Sequence, residues 1–231
     1  MFRYETHLHT SETSACASAS GAEQARRYKD EGYDGIFVTD HFFNSNTTVP
    51  RDLPWREKVD LYCKGYENAK EEGDRIGIKV FFGIEYTFDG ADILVYGLDK
   101  QWLYDHPDCD RDFFAFHDEA KAAGALMIQA HPFREAPYLN GQIKLLPKWV
   151  DGIEVYNSGN GCESWNEHAR WYADAFGFKV TAGTDNHHLS VESERLAGVI
   201  SERELFSCAD YRDEFLAGRI EPVIPPKKAD K

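Results

Sequence analysis

Compact apolar runs alternate with longer amphipathic stretches almost from end to end of the chain. Residues 2–6 read as a first strand leading into His7. Ser20 followed by Glu23 is a capping-box signature, and the helix it opens runs to Gly32, a C-terminal stop. Residues 35–39, GIFVT, form a buried-strand pattern. Residues 55–74, entered through Pro54, read as one long helix. Further strands are expected over 79–84, 93–96, 126–130, 152–156 and 179–182, with helices over 111–123 and 163–176. Past Leu196, Gly198 marks a break before a short strand near Val199 and a last helix over 211–216. The polar tail PPKKADK reads as frayed, and the chain from about residue 222 as extended.

Strands separated by crossover helices pair in parallel, which predicts an α/β fold, either an open sheet or a barrel. No linker, repeat or low-complexity tract divides residues 1–231, so a single domain is expected.

Chemistry-bearing residues fall at one recurring place in this pattern. His7 and His9 follow the first strand, Asp40 and His41 the second, and Glu85 the run Phe82-Gly83-Ile84. His131 follows residues 126–130, and Asp185 and His187 follow 179–182. Carboxyl ends of parallel strands converge on one face, so five strands aim imidazoles and carboxylates at a common point. Carboxylates packed that closely repel one another unless cations neutralise them, and imidazole with carboxylate suits zinc, iron or manganese. Taken singly, each piece has an ordinary reading: an accidental HxH, a capping Asp in Thr-Asp-His, a strand-ending His-Pro, a solvated Glu85. Their shared position favours the metal reading.

Composition narrows the partners. Forty acidic residues against 26 basic ones give a net charge of −14, a surface that repels long nucleic acid. Bound cations can still reverse the field locally for a small phosphorylated substrate. Five scattered cysteines without a CxxC pair read as reduced core or surface thiols and not as ligands. With a polar N-terminus and no apolar run long enough for a membrane, a cytoplasmic location is expected. His106, His117, His168 and His188 read as structural or solvent-facing. Trp165, Trp171 and Tyr172 have the helical spacing of core packing.

The motifs HLHT at 7–10, TDH at 39–41, GIE at 83–85, AHP at 130–132 and GTDNH at 183–187 occur in an order that resembles the polymerase and histidinol phosphatase (PHP) superfamily. The resemblance implies a distorted (β/α)7 TIM-like barrel holding two or three divalent ions, zinc, manganese or iron. Carried over, it makes His7, His9, Glu85 and Asp185 ligands of one ion. Glu85 would bridge to a second ion held by His131, and His41 and His187 would bind a third. The family places a histidine or aspartate where this chain has Ser14; Glu12 is a candidate substitute. Asp92 stands where some members carry a histidine, and is either a replacement ligand or a strand-start residue with local hydrogen bonds.

The activity implied is hydrolysis of a phosphoester by a metal-activated hydroxide, with a small phosphomonoester such as histidinol phosphate, a nucleotide or a sugar phosphate as substrate. Asp185, His41 and His187 are the candidate catalytic groups, either histidine serving as proton donor to the leaving oxygen where it is not ligating. Arg134 is a candidate phosphate contact or a surface ion-pair partner of Glu135. Glu154 and Asn157 are candidates either for backing the ligands or for contacting substrate, with an exposed Glu and a turn Asn as the plain reading. A nuclease or nucleotide phosphodiesterase for short substrates is the second reading, and a non-catalytic metal-binding regulatory module the third. Oligomeric state leaves no mark on the spacing.

Overall fold

The computed structural model describes residues 1–226; residues 227–231, the end of the tail read as frayed, lie outside them. In chain order the elements are β1 (Phe2–Leu8), α1 (Gly21–Asp30), β2 (Gly35–Val38), α2 (Trp55–Tyr62), α3 (Lys64–Ile76), β3 (Lys79–Phe88), β4 (Ala91–Tyr96), α4 (Lys100–Asp105), α5 (Phe113–Ala122), β5 (Leu126–Ala130), β6 (Gly152–Asn157), α6 (Glu163–Phe176), β7 (Lys179–Gly183), β8 (Gly198–Ser201), α7 (Cys208–Leu216) and β9 (Ile220–Val223).

All the strands belong to one sheet, ordered β7-β6-β5-β4-β3-β2-β1-β8-β9. Strands β1, β2 and β3 are parallel, as are β5, β6 and β7; β4 runs antiparallel between β3 and β5. Beyond β7, Asn186 forms a parallel bridge with Leu8, and the His9 N–H donates to the Asn186 carbonyl at 2.9 Å. The sheet thereby curls into a nearly closed barrel whose seam lies beside the HxH motif. Tyr4, Phe37, Phe81, Leu94, Tyr96, Leu126 and Ile128 pack with Tyr211 and Phe215 of α7. On other faces Ile36, Val38 and Val80 meet Ala25, Tyr28 and Ala69 of α1 and α3, and Tyr86, Ile93 and Met127 meet Phe113 and Phe116 of α5.

The capping box of α1 is present: Glu23 N–H donates to Ser20 Oγ, and the Ser20 N–H donates to the Glu23 carboxylate at 2.9 Å. Other expectations change. The long helix is two, divided at Cys63, next to Tyr62, whose carbonyl accepts from the Thr13 hydroxyl at 2.9 Å. The parallel reading fails at β4: Asp89 and Gly90 have φ of 51° and 83°, a two-residue hairpin turn of the kind Asp-Gly favours. That turn extends β3 to Phe88, so Glu85 sits within a strand rather than after one. Helix α4, capped by Asp99, is too short to show a period, and β9 carries Pro222 on the outermost strand, where a missing N–H costs little. Trp171 is 64% exposed, and only Tyr172 of that pair is core.

Candidate metal centre

The reversed direction of β4 matters here, because it brings the start of that strand to the same rim as the carboxyl ends of its neighbours. At this rim the donor atoms form three overlapping groups: His7, His9 and Asp185; His7, Glu85 and His131; and His9, His41 and His187, each within 4.8 Å. His7 Nε2 lies 3.1 Å from Glu85 Oε1, His131 Nε2 3.3 Å from the same oxygen, and His9 Nε2 3.2 Å from Asp185 Oδ1. A tetrahedral ion with bonds of about 2.1 Å has ligand atoms about 3.4 Å apart, so these separations suit a shared cation.

Two residues reach the rim through backbone that a side chain rarely adopts. His131 has φ of 26° and Asp185 φ of 56°. Each is held by a specific bond: the His131 N–H donates to Glu154 Oε2 at 3.0 Å, and the Asp185 N–H to the His7 carbonyl at 2.8 Å. Strain of this kind costs about 1–3 kcal/mol and persists where the surroundings fix it, commonly at functional sites.

Hydrogen bonds also select which nitrogen each ring presents. His7 Nδ1 pairs with Glu154 Oε1 at 3.0 Å, leaving Nε2 to face Glu85 and Asp185. The single Ser14 hydroxyl proton goes to Asp40 Oδ1 at 2.7 Å, so Ser14 accepts from His9 Nδ1 at 3.0 Å and turns His9 Nε2 inward. His187 Nδ1 donates to the Asp185 carbonyl at 2.9 Å. Such backing groups fix the tautomer of metal-binding histidines.

The electrostatics reflect this crowding. Burial opposes a charge on His7, yet Asp185, Glu154 and Glu85 hold its pKa well above the usual value. Burial pushes His9 well down, helped by His187 and His41. Glu85 and Asp185 stay well below the ordinary carboxylate range against burial, Glu85 because of His41 and His7, Asp185 because of His7 and Arg134. His41 Nδ1 and Glu85 Oε2 lie 2.6 Å apart as an ion pair, and against burial this carboxylate holds the His41 pKa well above its usual value. The donor set therefore fits the metals that the sequence implies.

Other expected residues take different places. Asp92 Oδ1 accepts from the Thr87 hydroxyl at 2.6 Å, while Oδ2 stands 4.0 Å from His131 Nε2, at the edge of the cluster. Glu12 cannot stand in at the Ser14 position, because its carboxylate accepts from the Gly21 N–H and from Asn68 Nδ2 at the head of α1. Glu154 and Asn157 sit behind the ligands, each 1% exposed, rather than at the opening. Asn157 Oδ1 accepts from Arg134 and the Gly159 N–H, and its Nδ2 donates to Glu154 at 2.9 Å. Arg134 pairs with Asp185 Oδ2 at 2.7 Å, not with Glu135. His106 stacks on Trp102, His117 pairs with Asp118, His168 packs on Phe133 and His188 bonds Ser18, so none joins the cluster. Cys16, read as an ordinary thiol, is a free and exposed cysteine; burial raises its pKa, but His187 and His41 outweigh this and bring it down to about 6.

No protein-family model and no curated protein sequence matches the chain. Solved structures do. A two-domain Bacteroides vulgatus protein containing a predicted PHP-like metal-dependent phosphoesterase superposes over 97% of this chain with a TM-score of 0.69 at 17% identity. The chain shares that protein's PHP-like fold. It spans 65% of that Bacteroides protein, just under two thirds of its length. PsfC from Pseudomonas syringae matches over 97% of this chain and 92% of its own, with a TM-score of 0.61 and 15% identity. The lesion-specific endonuclease EndoQ from Pyrococcus furiosus matches over 96% of this chain and 57% of its own, with a TM-score of 0.55 and 12% identity. No helix among the described residues is long and apolar enough to cross a membrane.

Proposed function

We propose that this chain is a metal-dependent phosphoric ester hydrolase, folded as one catalytic domain, that acts on a small phosphomonoester. The observation that supports it most is the largely buried set of nitrogen and oxygen donors that lie within 4.8 Å of one another in three overlapping groups. His7, His9 and Asp185 would hold one ion, Glu85 would bridge to another with His131, and His41 and His187 would hold a third. Asp92 stands ready beside the second. Zinc, manganese or iron there would neutralise phosphate charge and lower the pKa of bound water to about 7.

The chain's own groups do the rest. Glu154 and Ser14 keep His7 and His9 presenting Nε2. Arg134, partly exposed beside Asp185, contacts a phosphate oxygen through its planar fork. Asp185 links the ligand cluster to that arginine. His41 and His187 line the opening, 15% and 18% exposed against 0% for His7 and His9, and supply the leaving oxygen's proton where they are not ligating.

A panel of histidinol phosphate, nucleotides and sugar phosphates, run beside a dinucleotide diester with and without added metal, tests this reading. Metal-dependent release of phosphate from one or more monoesters is expected. Cleavage confined to the diester would favour the phosphodiesterase alternative, which the shared fold with an endonuclease keeps in play. Metal binding without turnover on either class would favour a regulatory module.

A further inference from the structure

The Arg134 guanidinium is gripped along one edge. Its Nε donates to Asn160 Oδ1 at 2.9 Å, and its Nη2 donates to Asn157 Oδ1 at 2.7 Å and pairs with Asp185 Oδ2 at 2.7 Å. None of these partners takes Nη1. Both amides have a fixed direction. Asn160 Nδ2 donates at 2.7 Å to Asn166 Oδ1, an oxygen on α6 that also accepts from the Asn157 N–H at 3.0 Å. Asn157 Nδ2 donates to Glu154 at 2.9 Å. Each carbonyl oxygen is therefore turned to the arginine.

The loop that carries Asn160 runs against the guanidinium. It leaves β6 in a turn closed by the Asn160 N–H on the Asn157 carbonyl at 3.2 Å, and a Cβ placed on Gly159 would stand 3.2 Å from Arg134 Nη2. Arg134 in turn follows β5, its own N–H donating to the His131 carbonyl at 2.9 Å. Its side chain is 19% exposed, so the arginine meets the opening from a socket. Charge gives that socket its use. A carboxylate at position 160 would hold the arginine and offset its charge. A neutral amide holds it and leaves the charge to an oxyanion.

We infer that Asn160 is a positioning residue for phosphate, setting the Arg134 guanidinium so that Nη1 meets a phosphate oxygen of the substrate. The inference rests on the phosphoesterase reading above and adds to it the residue that aims the phosphate contact. Asn160 neither ligates metal nor touches the substrate; its effect passes through Arg134.

A double-mutant cycle tests this. Inorganic phosphate is titrated calorimetrically into the zinc-loaded full chain of wild type, Asn160→Ala, Arg134→Met and the double variant, with bound zinc counted in each. Asn160→Ala should weaken phosphate about three- to tenfold, no further than Arg134→Met does, with zinc content unchanged. In the Arg134→Met background the same substitution should change affinity by less than about twofold. On a hydrolysed monoester its effect should fall on KM and not on kcat. Equal weakening by Asn160→Ala in both backgrounds overturns the inference, because Asn160 would then act without Arg134. So does an Asn160→Ala protein that binds phosphate like wild type, or one that loses zinc; in these cases the phosphoesterase reading stands. A zinc-loaded wild type that binds no phosphate overturns both.

Discussion

Glu154→Gln removes one charge and almost no volume, so its effect follows from hydrogen-bond directions alone. The wild-type carboxylate is 1% exposed and accepts three bonds: from His7 Nδ1 at 3.0 Å, from the His131 N–H at 3.0 Å and from Asn157 Nδ2 at 2.9 Å. An amide has one acceptor oxygen for these two sides. If that oxygen faces His7, the new NH2 meets two donors, and each buried donor left unpaired costs about 1–3 kcal/mol. Asn157 cannot flip to help, since its Oδ1 already serves Arg134 and Gly159. If the oxygen faces His131 and Asn157 instead, His7 must accept at Nδ1 and keep its proton on Nε2, the nitrogen aimed at Glu85 and Asp185. The second arrangement loses fewer bonds in the metal-free protein, and its penalty falls on the metal. Groups that orient ligating histidines are worth roughly 10- to 100-fold in metal affinity. Competition with a chromophoric chelator should therefore show zinc held about 10- to 100-fold more weakly. Urea unfolding of the metal-free variant separates the two arrangements, because only the first destabilises it strongly. Affinity within threefold of wild type, with an unchanged unfolding midpoint, would refute the role given to Glu154.

Three further outcomes are expected. A Cβ on Gly183 would lie 2.5 Å from His7 Cβ and 2.7 Å from Glu154 Oε1, so Gly183→Ala should cost about 1–3 kcal/mol in an unfolding titration and lower the metal content; full metal content at wild-type stability would contradict it. Burial raises the Glu5 pKa to about 7 from an ordinary 4.5, against the bonds from Thr184, His7 and Tyr28, so its contribution to stability is full below pH 4.5 and lost as pH rises to about 7. Glu5→Gln should then gain on wild type by up to roughly 3 kcal/mol between urea unfolding at pH 4.5 and at pH 8, the 2.5 units being worth about 1.4 kcal/mol each; an equal difference at both pH values would exclude this. Arg134→Met removes the cation beside Asp185, so metal affinity should hold or rise while KM for the phosphomonoester rises about tenfold or more, the value of one charge-assisted hydrogen bond. Weakened metal binding in that variant would show that Arg134 supports the ligands instead.

How much of this was legible in the chain differs from residue to residue. His9, His41, His131, Asp185 and His187 could be placed because each follows a strand whose apolar run is local, and His7 because it lies at the end of one. Ser20 and Glu23 announced α1 for the same reason. The β3–β4 hairpin carried its signal in Asp89-Gly90 between apolar alternations, but the two strands were read as separate, and Glu85 was set one strand-end too early. The break at Cys63 had no local sign: it comes from Thr13, brought to Tyr62 from 49 residues away. Glu154 and Asn157 were seen as polar strand-end residues, but only packing shows that both are enclosed.

The most direct measurement is the metal content of the full chain after stripping and reloading with zinc or manganese, counted by elemental mass spectrometry against protein concentration. Two or three ions per chain are expected in the wild type, falling in His9→Ala and in Asp185→Ala, where the inner ligand set is broken. A reloaded, folded wild type that retains no ion would contradict the metal centre itself, and with it the hydrolase.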